Sequence, residues 1–139
     1  VDTLMQHLWY LKKELYPETI EVLEYFRSRG YKMGVISDTS PSLELTLRNA
    51  GIHQYFTSFT ASSLVGASKP DPIIFNAALR AQGVSAHESL YVDDYDLEAD
   101  GARTLGFTSF LIDRTGTDKK EWVISSLREI IEFVEATMQ

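Results

Sequence analysis

The stretch SLYVDD, residues 89–94, decides the fold of this chain. An apolar run leads straight into two adjacent carboxylates, Asp93 and Asp94. This pattern predicts a buried strand with a polar exit, and residues 97–105 behind it are expected to form a helix that ends at Gly106.

Further apolar runs with polar exits flank this stretch on both sides. Residues 32–36 lead into Ser37 and Asp38, and a loop that carries Lys69 precedes another helix. The periodicity predicts strands at 32–36, 56–62, 89–92 and 108–112, and helices at 1–15, 17–30, 41–50, 71–81, 97–105 and 122–134. Strands that alternate with helices predict an α/β fold with a mainly parallel sheet.

The polar exits of a parallel sheet meet at its carboxyl edge, where ligands bind in such folds. Here that edge would gather the Ser37 hydroxyl, the Lys69 ammonium and the carboxylates of Asp93 and Asp94. A hydroxyl, a fixed cation and a carboxylate-held metal are the groups that stabilise phosphoryl transfer. Taken singly, each motif has a plainer interpretation as a turn or a helix cap, so the prediction depends on their convergence.

Three segments carry a resemblance to a known family. GVISD at 34–38, SKPDPIIF at 68–75 and YVDD at 91–94 resemble motifs II, III and IV of the haloacid dehalogenase (HAD) superfamily, in that order and with similar spacing. The resemblance covers roughly residues 17–114. It implies a HAD-like Rossmannoid three-layer sandwich.

The resemblance also implies roles for individual residues. Ser37 and Asp38 would bind a phosphoryl group, and Lys69 would pair with that group and with the nucleophile. Asp93 would help to hold Mg²⁺, with Asp94 and Glu98 as further ligand candidates. The family often has Gly-Asp-Ser where this chain has Val-Asp-Asp, at residues 92–94, so the metal geometry is expected to differ in detail.

In this family the nucleophile is the first Asp of an Asp-x-Asp motif that lies upstream of every motif found here. The chain's one Asp-x-Asp, residues 94–96, lies inside motif IV and does not qualify. The resemblance therefore predicts residues 1–16 as the end of a cap or a linker helix and 17–139 as a core whose first strand is missing. A gap between the strands that end at Ser37 and Asp93 would expose a sheet edge, through which association is expected.

Composition narrows the partners. The net charge of −7 disfavours binding to nucleic acid or to an anionic membrane surface, because both are bound mainly through clustered Lys and Arg. The chain has no cysteine, which permits a reducing cytoplasmic location.

The leading interpretation is part of a magnesium-dependent phosphatase that acts on a small phosphorylated metabolite through an aspartyl-phosphate, with the nucleophile outside this chain. Two alternatives stay open: a non-catalytic HAD-like fragment with a binding or structural role, and a haloacid dehalogenase, which would not require Mg²⁺. A receiver-like signalling domain is disfavoured, because its acidic pair comes early and its lysine late, which is the reverse of the order here.

Overall fold

The computed structural model describes residues 3–6, 10–11, 14–38 and 43–137, and it forms an α/β structure around one parallel sheet. The first half of the chain contains β1 Thr3–Gln6, β2 Tyr10–Leu11, β3 Glu14–Leu15, α1 Thr19–Ser28, β4 Lys32–Ser37, α2 Leu43–Asn49, β5 Ser58–Ala61 and α3 Ser62–Val65. The second half contains α4 Pro72–Gln82, β6 Ser89–Asp93, α5 Asp96–Thr104, β7 Thr108–Ile112, β8 Val123–Ile124 and α6 Arg128–Thr137.

Within the described ranges, the main sheet has six strands in the order β5-β4-β1-β6-β7-β8, and each neighbouring pair is parallel. β2 and β3 form a separate antiparallel pair. Ser37 and Asp93 are the last residues of β4 and β6, so both lie at the carboxyl edge of the sheet. This arrangement confirms the predicted α/β fold.

Two apolar clusters cover the two faces of the sheet. On one face, Leu90 and Val92 of β6 pack with buried side chains of α1, α2 and α6. On the other face, Tyr91 packs with side chains of α4 and α5. Successive side chains of a strand point to opposite faces, so the fold has three layers, and Tyr91 and Asp93 share the face covered by α4 and α5.

Local sequence signals explain where α4 begins and ends. The Asp71 carboxylate caps the helix by accepting a hydrogen bond from the backbone N of Ile73 at 2.9 Å, and Pro72 occupies the first helical position. Gly83 ends the helix with φ of 69°, a left-handed conformation that glycine adopts without steric cost. The loop that carries Lys69 is therefore followed by a helix whose first residue is set by Asp71 and Pro72.

The helix predicted for residues 1–15 is wrong in the part that the structure describes. Those residues form β1, β2 and β3, although Leu4, Leu11 and Leu15 follow a helical spacing. β1 pairs with both β4 and β6, and hydrogen bonding on two sides outweighs the weak intrinsic preference of a short segment. The division into residues 1–16 and 17–139 stays a prediction.

β1 also occupies the place where the sequence predicts a missing strand. Gln6, its last residue, lies level with Val35 of β4 and Val92 of β6. The expected gap is therefore filled, and the outer strands of the sheet are β5 and β8.

The closing helix begins later than predicted. The sequence favours a helix over 122–134, but α6 covers Arg128–Thr137 and residues 123–124 form the edge strand β8. Ile130 is buried, and Trp122 is 38% exposed. Within the described ranges, no helix has both the length and the apolar character needed to cross a bilayer.

Candidate active site

Lys69 lies at the centre of the predicted site. Its side chain is 1% exposed, and its Nζ lies 2.9 Å from Oδ2 of Asp93 and 2.8 Å from Oε1 of Glu98. An ammonium is rarely buried without partners, and here two carboxylates provide them. The structure thus brings together three of the predicted site residues in direct contact.

The Asp93 carboxylate is held from several directions. Its Oδ1 accepts hydrogen bonds from the backbone N of Asp94 at 2.7 Å and of Tyr95 at 3.2 Å. Its Oδ2 accepts from Lys69 Nζ and from the Tyr91 hydroxyl. A carboxylate has about four acceptor positions, so protein donors already engage this buried group on both oxygens.

Ser37 and Asp38 take different positions at the end of β4. Ser37 is buried and continues the strand, level with Ala61 of β5. Asp38 is exposed, and its Oδ1 accepts a hydrogen bond from the backbone N of Lys69 at 3.0 Å. In this geometry Asp38 fastens the Lys69 loop to β4, a contact that the sequence does not reveal.

Glu98 and Asp94 differ in their contact with solvent. The Glu98 side chain is 11% exposed, and burial raises its pKa to about 7, although the ion pair with Lys69 works in the opposite direction. Asp94 is exposed at the rim. Partial burial and the neighbouring Asp93 raise the pKa of Asp94 above its ordinary value.

Close packing holds α5 against the Lys69 loop. A Cβ added at Gly101 would lie 2.7 Å from Cβ of Pro70, closer than real side chains approach. The Lys69–Pro70 peptide bond is cis. Glycine at position 101 therefore allows α5, which carries Glu98, to approach the residue next to Lys69.

The described part of the predicted site is acidic. Among the residues that the structure describes there, Asp38, Asp93, Asp94 and Glu98 supply four carboxylates, and Lys69 supplies one cation. An anionic ligand would be repelled by this balance unless a further cation joined it. This charge balance limits which ligands the site can bind, because an anionic ligand would need an accompanying cation.

The predicted magnesium ligands fit a metal only in part. No group of three His, Asp or Glu side chains within the described residues is arranged to hold an ion. Asp93 and Glu98 are engaged by Lys69, whereas Asp94 presents an exposed carboxylate beside them. Mg²⁺ is commonly held by one or two carboxylates together with substrate phosphate and water, so Asp94 is the residue that suits such an ion.

The nucleophile, which the resemblance predicts to lie outside this chain, stays a prediction. β1 runs between β4 and β6 and ends at Gln6, and residues 7–9, which follow it, are His, Leu and Trp. Residues 7–9 fall outside the described residues. The sequence therefore supplies no carboxylate immediately after the central strand.

Tyr91 is a site residue that the sequence analysis does not single out. It lies two positions before Asp93 on the same strand, so both side chains lie on the same face of the sheet. This alternation is the one sequence signal that could have identified it.

Comparisons with known proteins identify the family of the chain. Residues 2–112 match the family model described as haloacid dehalogenase-like hydrolase. The chain is 36% identical to a phosphatase of Mycobacterium tuberculosis, covering 84% of this chain and 56% of the relative. It is 30% identical to an (S)-2-haloacid dehalogenase of Pseudomonas sp., and that match covers 91% of this chain and 57% of the dehalogenase.

Among solved structures, a HAD phosphatase from Thermococcus onnurineus superposes with a TM-score of 0.81 at 31% identity. The match covers 86% of this chain and 58% of that structure. The chain belongs to the haloacid dehalogenase-like hydrolase family. It spans slightly more than half the length of each of these three proteins.

Proposed function

We propose that this chain is the phosphate-handling part of a magnesium-dependent phosphatase, whose attacking carboxylate comes from a segment outside this sequence. The observation that carries the proposal is the position of the Lys69 ammonium between Asp93 and Glu98. Ser37, the last residue of β4, lies at the same edge of the sheet. The substrate class proposed is a small phosphorylated metabolite.

The proposed chemistry uses the fixed groups for charge stabilisation. Ser37 would donate a hydrogen bond to a phosphoryl oxygen, and Lys69 would neutralise part of the charge on the transferring group. The external carboxylate would attack phosphorus and expel the alcohol, and water would then hydrolyse the acyl-phosphate. Mg²⁺ would supply further charge neutralisation when bound at Asp94.

The acidic charge of the site supports a phosphatase over a dehalogenase. Among the described residues of the site, four carboxylates against one ammonium would repel an anionic haloacid, and a dehalogenase of this family would bring no divalent cation to reverse that charge. A phosphatase would bring such a cation to Asp94. The similarity to the Pseudomonas (S)-2-haloacid dehalogenase nevertheless makes dehalogenation the second candidate.

The remaining partners form part of the same proposal. The acidic balance of the chain supports neither nucleic acid nor a membrane surface as a partner. The lack of cysteine permits the cytoplasmic location that is part of this proposal. Association between sheet edges, through β5 or β8, is proposed as the route to any oligomer.

The test uses the complete coding sequence that contains these residues. The expected result is hydrolysis of p-nitrophenyl phosphate that stops when the metal is chelated and that falls at least a hundredfold in a Lys69→Met variant. Release of halide from 2-chloropropionate, unaffected by chelation, would favour the dehalogenase. Binding of phosphate without turnover of either substrate would favour a non-catalytic role.

A further inference from the structure

The buried hydroxyl of Tyr91 contacts the carboxylate of Asp93, which lies at the centre of the site. The Tyr91 side chain is fully buried, and its hydroxyl donates a hydrogen bond to Oδ2 of Asp93. Its ring packs edge-on against Phe75 with 5.3 Å between centroids, and it lies 6.0 Å from Phe107. The aromatic packing therefore fixes where the hydroxyl can point.

The Tyr91 hydroxyl remains a donor over the working range of a protein. Burial and the nearby charge of Asp93 raise the pKa of the Tyr91 phenol well above its ordinary value. A buried hydroxyl without a partner would be costly, so the bond to Asp93 also satisfies Tyr91.

The same carboxylate oxygen serves two donors. Oδ2 of Asp93 accepts from Tyr91 and from Lys69 Nζ, while Oδ1 is held by the backbone N of Asp94 and Tyr95. Two donors on one oxygen share its negative charge. Loss of the Tyr91 hydroxyl would leave more of that charge for the Lys69 ammonium.

We propose that Tyr91 is a positioning residue, whose hydroxyl shares Oδ2 of Asp93 with Lys69 and thereby limits how firmly Asp93 holds the ammonium. In turnover this role rests on the proposed function, because there Lys69 also serves the phosphoryl group. Removing the hydroxyl would draw Lys69 toward Asp93 and away from a bound phosphoryl oxygen. The chemical step would then suffer more than substrate binding.

The test compares Tyr91→Phe with Tyr55→Phe. Both substitutions remove one hydroxyl and keep the ring, and Tyr55 also donates to a carboxylate, Oε1 of Glu24 at 2.7 Å. Tyr55 packs in the apolar cluster on the other face of the sheet from Tyr91, so it is a matched control. The first readout is the NMR signal of the Lys69 side-chain ammonium, recorded on this chain without substrate.

We expect the Lys69 ammonium signal to shift in Tyr91→Phe and to stay in place in Tyr55→Phe. In the complete protein, kcat for p-nitrophenyl phosphate should fall on the order of tenfold in Tyr91→Phe, with little change in KM. An unchanged ammonium signal in Tyr91→Phe would overturn the proposal. A protein without phosphatase activity would instead refute the proposed function, and the ammonium signal would still decide the role of Tyr91.

A third variant separates the hydroxyl from the packing of the ring. Phe75→Leu loosens the aromatic cluster but keeps the hydroxyl on Tyr91. The proposal expects a smaller shift of the Lys69 signal in Phe75→Leu than in Tyr91→Phe. An equal or larger shift in Phe75→Leu would assign the effect to packing and would contradict the proposal.

Discussion

Nζ of Lys69 lies 2.8 Å from Oε1 of Glu98, and water reaches almost none of the lysine and little of the glutamate. Asp93 completes the group from the end of β6. The three side chains come from a loop, a strand and a helix, so their contact depends on the assembled fold.

Replacing Lys69 with Met should strongly destabilise the chain. The change leaves two buried carboxylates without their cation, which typically costs about 3–5 kcal/mol in the free energy of unfolding. Urea denaturation would measure it. Lys120→Met is the control, because Lys120 is 60% exposed and pairs with Asp118 at 3.5 Å, and such surface pairs contribute about 0–1 kcal/mol. Equal losses in the two variants would contradict the buried ion pair.

The Glu98 carboxyl should make stability depend on pH. Its pKa is raised from 4.5 to about 7 in the folded chain, so the folded state binds the proton more tightly than the unfolded state does. The resulting stability is fully present below pH 4.5 and is lost as the pH rises to 7. Glu98→Gln removes this titrating group. Between pH 5 and pH 8 the melting temperature of the wild type should therefore fall by roughly 4 °C or more beyond the fall seen in Glu98→Gln. The same dependence of melting temperature on pH in both proteins would show that Glu98 does not titrate between pH 5 and pH 8.

Adding a methyl group at Gly101 should disturb the Lys69 loop. The new Cβ would lie 2.7 Å from Cβ of Pro70, and such overpacking typically costs about 1–3 kcal/mol. Alanine in a helix otherwise gains up to about 1 kcal/mol over glycine, so a net loss would identify the clash. Asp100→Ala, at the exposed neighbouring position, is the control for changes in α5. A Gly101→Ala protein more stable than the wild type would show that α5 moves away without cost.

Asp38 should protect one particular backbone amide. Its carboxylate accepts the hydrogen bond from the Lys69 N–H at 3.0 Å, so Asp38→Ala should speed hydrogen exchange at that amide on the order of tenfold. Asp38→Asn keeps a side-chain carbonyl acceptor and should retain much of the protection. Exchange followed by NMR at Lys69 tests both variants. Equal exchange in the wild type and in Asp38→Ala would remove Asp38 from its position as the loop tether.

The two aspartates of the 93–94 pair should respond differently to substitution. Asp94→Asn should weaken magnesium binding about tenfold or more in the complete protein and should barely alter folding, because Asp94 is exposed. Asp93→Asn removes the charge partner of the buried Lys69 and should lower the melting temperature markedly. Magnesium titration and thermal melting of both variants separate the roles. The opposite pattern would assign the metal to Asp93.

The sequence predicts most of the sheet because its strands are bounded by strong local signals. Residues 108–112 form a strand with the predicted bounds, and Asp71 with Pro72 fixes the start of α4 where the pattern places it. β1 is missed because its partners, β4 and β6, are far away in the chain, and a short segment between two strands gains hydrogen bonds that no local pattern encodes. β8 is missed for a similar reason, since two residues are too few to show periodicity.

The candidate site divides in the same way. Ser37, Lys69 and Asp93 follow from the strand exits, and the structure places them at one edge of the sheet. The contact between Asp38 and the Lys69 backbone, and the one between Tyr91 and Asp93, depend on side-chain direction in three dimensions. A pattern of residue types does not contain that information.

Under the proposed function, the surplus of carboxylates around Lys69 would affect how fast, and in which order, a metal ion and an anionic ester bind. For such a phosphatase, the net charge of −7 and the carboxylates around Lys69 would slow the approach of a dianionic ester, and added salt should quicken it as the Debye length shrinks from ~30 Å at 0.01 M to ~10 Å at 0.1 M. A divalent ion that arrives first would cancel this repulsion and flatten the salt dependence. Under the proposed function, this charge arrangement would favour an ordered pathway in which the cation binds before the ester.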